Sequence, residues 1–218
     1  MATATGHRSA AYGTAAPVIG TGGLLAVVGA AGPDRTALLL GLGDRLRQGA
    51  ARRRAALVRA HGASAPDPYD RVGELLDLVA VQAGLRVGAV RVGEALTAAG
   101  LALADHPDPA RPGTLPRGAR YERLPAADQL LLATALALIP GPGLLLVDTD
   151  TDTDTGTDAD TGTDADIGTD TAAAADPRVW RGLSRIAATG IPVIATATDA
   201  TLAGDHADRV VLLPHAGP

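Results

Sequence analysis

Gly23-Leu24-Leu25-Ala26-Val27-Val28-Gly29-Ala30-Ala31-Gly32-Pro33-Asp34-Arg35-Thr36-Ala37-Leu38-Leu39-Leu40 is the stretch that decides the fold. The run Leu24 to Val28 is short, apolar and closed by a glycine, as a strand buried on both faces of a parallel sheet must be. Leu38, Leu39, Leu42 and Leu46 then recur at helical spacing, which predicts a helix from Arg35 to Leu46. A strand, a glycine turn and a helix in that order aim backbone N–H groups and the positive helix end at one point, where an anion can sit. The full phosphate-loop pattern G-x-x-x-x-G-K-[ST] would run from Gly29 to Thr36. Gly29 and Thr36 fit it, but Asp34 stands for the second glycine and Arg35 for the lysine. By itself, this turn reads as an ordinary strand-to-helix connection.

Outward from it, strands and helices alternate. Asp77 to Gln82 reads as a second strand, Val92 to Ala104 as a helix, and His106 to Arg120, rich in Pro, Gly and Arg, as a loop. Ala126 to Leu138 reads as a helix and Leu144 to Val147 as a strand ending at Asp148. Pro177 to Ala188 reads as a helix, and Pro192 to Thr196 and Arg209 to Leu213 as strands. This alternation implies an α/β fold with a parallel sheet covered on both faces. Leu130 to Val147 is uncharged over a length near that of a membrane span, but Pro140, Gly141, Pro142 and Gly143 divide it. A buried helix, a turn and a buried strand are the reading of this run, with no insertion into a membrane.

Composition narrows the function. The chain has 218 residues, room for one α/β domain with a small subdomain. Phe and Cys are absent and every basic residue is Arg, so the core is expected to be built from small aliphatic residues without large aromatic anchors. The net charge of −5 excludes a basic footprint for nucleic acid, and Arg52-Arg53-Arg54 reads as a solvated helix face. With no cysteine there is no disulfide framework, thiolate metal site or thiol nucleophile. Met1 to Pro17 has no apolar core of signal-peptide length, and the expectation is a cytoplasmic protein. His7, His61, His106, His206 and His215 show no ligand-like spacing. From Thr149 to about Ala175 the chain is dominated by Thr-Asp repeats, too polar and like-charged to offset the entropy of ordering, and is expected to be disordered. Asp150, Asp152 and Asp154 alternate as in a calcium loop, but Gly156 comes one position late and no glutamate closes the loop. A solvated spacer with at most diffuse cation binding is the reading there.

Taken in order, these segments resemble the ATP-binding-cassette (ABC) ATPase family over nearly the whole chain. Gly22 to Thr36 resembles its first strand and P-loop. Val79-Ala80-Val81-Gln82 resembles the strand ending in the Q-loop glutamine, and Val92 to Leu96 the helix start that follows. Leu124-Pro125-Ala126-Ala127-Asp128 stands in the place of the signature LSGGQ. Leu144 to Asp148 resembles the Walker B strand, and Ala175-Asp176-Pro177-Arg178 the D-loop. Gly190 to Asp199 resembles the strand ending in the switch histidine, and Ala207 to Leu212 the last strand.

The resemblance implies a P-loop NTPase-like core with a reduced helical subdomain at about 92–138, the single domain being 1–148 and 176–218 around the insertion at 149–175. It implies ATP at Gly29, Gly32, Arg35, Thr36, Gln82 and Asp148, with magnesium at Thr36, Gln82 and Asp148. Tyr12 is either an adenine-stacking residue or a tyrosine packed in a turn.

The departures fall on the chemistry. The catalytic glutamate after Asp148 is Thr149, which cannot act as a general base near neutral pH. The switch histidine is Thr198, and Pro125-Ala126-Ala127 replaces Ser-Gly-Gly. Arg35 keeps the lysine's charge in a planar fork, a poor substitute for a compact ammonium in a tight cradle. Asp34 adds a charge that would cost about 4 kcal/mol per phosphate charge at 4 Å and an effective dielectric near 20. No residue is assigned as catalytic.

The expectation is therefore a degenerate nucleotide-binding subunit with weak or no ATP hydrolysis and weak binding of ATP and magnesium. It would work beside a membrane permease subunit or a second nucleotide-binding subunit, at the inner face of the cell membrane. The alternatives are an active ATPase completed by a partner subunit, and a structural or regulatory domain that binds no nucleotide.

Overall fold

The computed structural model describes residues 22–30, 33–49, 54–59, 65–105, 112–149, 173, 175–213. Tyr12, Gly32 and nearly all of the Thr/Asp-rich stretch lie outside these residues.

Five strands form one parallel sheet in the order β2-β5-β6-β1-β7, with β1 at Leu24–Val28, β2 at Ala55–Arg59, β5 at Leu144–Asp148, β6 at Val193–Ala197 and β7 at Arg209–Leu212. The apolar runs β1, β5 and β6 are buried along their whole length. Alternate residues of such strands point to opposite faces, so each face needs its own cover. On one face Leu25, Val27, Leu144, Leu146 and Ile194 pack with Leu39 and Leu42 of α1 (Pro33–Gly49). On the other, Leu24, Ala26, Leu145, Val147 and Val193 join the larger core. That core takes in α2 (Val72–Gln82), α3 (Val90–Ala99), α4 (Ala126–Leu138) and α5 (Pro177–Ala188). A two-stranded parallel ribbon, β3 (Ala102–Ala104) with β4 (Thr114–Pro116), lies between α3 and α4 in the chain, and α6 (Ala200–Gly204) links β6 to β7. No helix among the described residues is long and apolar enough to cross a membrane; Leu130 to Val147 divides into α4, a turn and β5.

Three expectations about the elements are corrected. Val79 to Val81 is not a strand but the last turn of α2. Leu75, Leu76 and Ala80 of that helix are buried while Leu78 and Val81 are exposed, the one-sided burial of a surface helix. The strand next to β5 is instead β2, whose Ala55-Ala56-Leu57-Val58 follows the arginine run. The segment expected to continue as helix to Ala104 stops at Gly100, in the left-handed conformation at φ 84°, and resumes as β3. Part of the expected loop at 106–120 pairs as β4.

The core also has aromatic anchors. Trp180 and Tyr121 are 1% and 2% exposed. Burial raises the Tyr121 phenol well above its ordinary value, and its hydroxyl donates to the Gln129 carbonyl at 3.1 Å.

Helix α5 starts where Asp176 accepts from the Arg178 N–H at 2.8 Å and Pro177 follows, a start written in the residues. Its Gly182 sits against α3 and α4. A Cβ there would lie 2.8 Å from both the Ala99 carbonyl oxygen and a Leu131 methyl. Gly182→Ala gains about 1 kcal/mol of helix propensity but overpacks against backbone, at about 1–3 kcal/mol. The expected outcome is a lower urea midpoint at unchanged slope.

Candidate functional site at the C-terminal edge of the sheet

All five strands run the same way, so their C-terminal ends share an edge, where ligands of open α/β sheets bind. Gly29 follows β1 there, Asp148 ends β5, Arg59 ends β2 beside it, and Val28 is level with Ala197 of β6. The helix α1 places Arg35 and Thr36 over this edge.

Asp148 is the centre. It is 2% exposed, and its carboxylate is surrounded by protein donors. The Thr196 hydroxyl donates to Oδ1 at 2.8 Å and the Thr36 hydroxyl to Oδ2 at 2.9 Å. Arg59 Nη2 lies 3.3 Å from Oδ2, and Arg35 Nη2 3.9 Å from Oδ1. Arg35, itself 2% exposed, folds back so that Nη1 donates to the Gly29 carbonyl at 3.2 Å. The guanidinium therefore lies within its own loop. The Gly29 N–H donates to the Ala197 carbonyl at 3.0 Å, and a Cβ at Gly29 would collide with the Leu213 side chain. Next to this loop is a cavity of about 340 Å³ bounded by Gly29, Ala30, Thr198, Leu212 and Leu213. Among the described residues Thr198 supplies the polar side chain of that lining, and none of them is basic.

Thr149 is 2% exposed. Its N–H donates to the Thr196 hydroxyl at 3.0 Å, and its hydroxyl to the Thr196 carbonyl at 2.6 Å. Its side chain is thus turned toward β6.

The start of α4 is held from within. Leu124 and Asp128 are buried, Pro125 caps α4 without a side-chain bond, and Gln129 Nε2 donates to the Leu124 carbonyl at 2.9 Å. Arg178 Nη1 pairs with Asp128 Oδ1 at 2.9 Å and Nη2 with Asp176 Oδ2 at 2.9 Å, tying the start of α4 to the start of α5. Burial pushes the Asp128 carboxyl above its usual value, against the opposing pull of Arg178.

The structure thus brings Gly29, Arg35, Thr36 and Asp148 together. Gln82 is exposed at the end of α2 and makes no side-chain hydrogen bond among the described residues. Arg59 and Thr196 are site residues that sequence reasoning missed. The first was hidden behind the arginine run, although Ala55 to Val58 is a strand-length apolar stretch. The second lay inside a strand already assigned to the core.

The donor set does not fit magnesium. The ion needs carboxylate and hydroxyl oxygens at about 2.0–2.1 Å in near-octahedral geometry. Here those oxygens are engaged by two threonines and two guanidinium groups. A dication about 4 Å from a guanidinium costs roughly 8 kcal/mol at an effective dielectric near 20.

No family model matches the chain, and no curated protein does. Solved structures match in shape. One is a dimeric bacterial ABC transporter cassette, at 16% identity over 90% of this chain and 83% of that one, with a TM-score of 0.54. Another is a metal-chelate type ABC transporter in an inward-facing conformation, at 17% identity over 89% and 70%, with a TM-score of 0.56. A third is cbiO1 from Clostridium perfringens, part of the ABC transporter complex cbiONQ, at 16% identity over 88% and 73%, with a TM-score of 0.54. Identities this low carry the fold and no more. The chain has the mixed α/β fold of an ABC transporter ATP-binding cassette.

Proposed function

We propose that this chain is an ABC-type nucleotide-binding subunit with degenerate Walker A, signature and switch motifs, which hydrolyses ATP weakly or not at all and acts as a partner in an ABC transporter-like assembly. The observation that carries this is the guanidinium pair on Asp148. Arg35 and Arg59 occupy the surroundings that a metal-bound phosphate would need. Catalysis of phosphoryl transfer is positioning and charge stabilisation, and both are spent here on an internal contact. The partner would be a membrane permease subunit or a second nucleotide-binding subunit, at the cytoplasmic face of a membrane; no nucleic acid is involved. Of the residues assigned to nucleotide, Gly29, Arg35, Thr36 and Asp148 are the ones that share the edge; Tyr12, Gly32 and Gln82 remain assigned by resemblance.

A second reading, a structural or regulatory domain that binds no nucleotide, is favoured by the same arginines and by the exposed position of Gln82. Titration of the purified chain with ATP, with and without magnesium, separates the two. Under the first reading ATP binds weakly, with little gain from magnesium. Under the second no saturable binding occurs. A magnesium-dependent increase of about a hundredfold in affinity, about 2.7 kcal/mol, would overturn both.

A further inference from the structure

A separate cavity of about 560 Å³ opens between the exposed side of α5 and the C-terminal end of α3. Arg178, Arg181 and Arg185 line it, with Ser184, His206 and Gly100. Positions 178, 181 and 185 fall on one face of a helix, so three guanidinium groups converge. Asp128 and Asp176 already match Arg178. Among the described residues Arg181 and Arg185 have no carboxylate partner, the Arg181 Nε–H donating instead to the Pro177 carbonyl at 3.3 Å, and no acidic residue lines the cavity. Like charges at i and i+4 repel, so the face carries an unmet demand for negative charge in a protein whose net charge is −5. The Arg185 guanidinium lies over the Cα of Gly100, where a methyl group would collide with it, at the C-terminal end of α3.

We propose that this cavity binds a small polyanion bearing two adjacent phosphate-like groups. The volume is that of a small-molecule site, about 300–1,000 Å³. The Arg181 and Arg185 guanidinium groups, with no carboxylate partner among the described residues, can each meet one anionic group, and the Ser184 hydroxyl and the His206 imidazole stand at the wall to add hydrogen bonds. The site is distinct from the edge containing Asp148 and needs neither magnesium nor nucleotide.

The test is calorimetric titration of the full chain with inorganic pyrophosphate in the absence of divalent metal. Saturable one-to-one binding is expected, weaker for inorganic phosphate. Arg181→Glu, at an exposed position that leaves the fold intact, weakens it by about tenfold or more. Ser184→Glu, which breaks no ion pair, gives the same loss, and Arg86→Glu, an exposed arginine elsewhere, has no effect. Absence of saturable binding overturns the proposal, as does equal weakening by Arg86→Glu, which would mean general charge attraction. Loss of binding with Thr36→Ala but not with Arg181→Glu would place the anion at the loop after β1 and overturn it too.

Discussion

Given magnesium and ATP, the purified chain is expected to release phosphate no faster than its Asp148→Ala variant. A general base contributes about 10²–10⁴-fold to such a reaction and a preorganised charge a similar factor. On the proposed reading Thr149 stands in the place of the base and is bonded into β6, Thr198 stands in the place of the switch imidazole, and Arg35 lies against its own loop. The losses need not multiply, because residues acting as a unit are non-additive. One alone takes a typical turnover of about 10 per second to between about 0.1 and 0.001 per second. Thr149→Glu by itself is expected to restore nothing, since Asp34, Arg35 and Thr198 remain and the new side chain would start from a position turned into the sheet. Steady-state phosphate release settles the matter. A wild-type turnover near about 1 per second, abolished in Asp148→Ala, would require an unrecognised group doing the glutamate's work.

The same substitution is expected to cost about 3–5 kcal/mol of folding stability, measured by urea denaturation. Removing one member of a buried ion pair leaves the other charge in a low-dielectric interior. Asp148→Ala takes the carboxylate from beside Arg35, which is 2% exposed, and at once deprives Thr36 and Thr196 of their acceptor. Arg59 suffers less, because its side chain is 31% exposed and can turn to water. The double variant Arg35→Met/Asp148→Leu, which removes both buried charges and fills the space with apolar atoms, should recover most of the loss. If Asp148→Ala cost less than about 1 kcal/mol, the carboxylate would not be the keystone of this edge.

What could be read from the sequence was what depended on local pattern. The helices at Ala126–Leu138 and Pro177–Ala188 and the strands around Val27, Val147 and Ile194 were all legible, because long apolar runs, glycine closures and an Asp-Pro helix start are local signals. Asp77 to Gln82 was not, because a short apolar run looks the same in a helix and in a strand, and only packing on the interior decides. The ends of β1 and β5 were legible as a site because each closes on a residue of recognisable chemistry. The partners of Asp148 were not. Arg59 is separated from it by 89 positions and Thr196 by 48, and neither spacing says which strands lie side by side.

The two ends of the Thr/Asp-rich stretch are each fixed. Thr149 is held by two hydrogen bonds to Thr196, and Ala173 is 3% exposed just ahead of the Asp176 cap. The entropy of closing a loop between fixed ends grows only with the logarithm of its length, about 0.6 kcal/mol for each doubling. Gain or loss of repeats between Thr149 and Ala173 is therefore expected to cost little, while the two hydrogen bonds from Thr149 to Thr196 hold the end of β5 in register with β6.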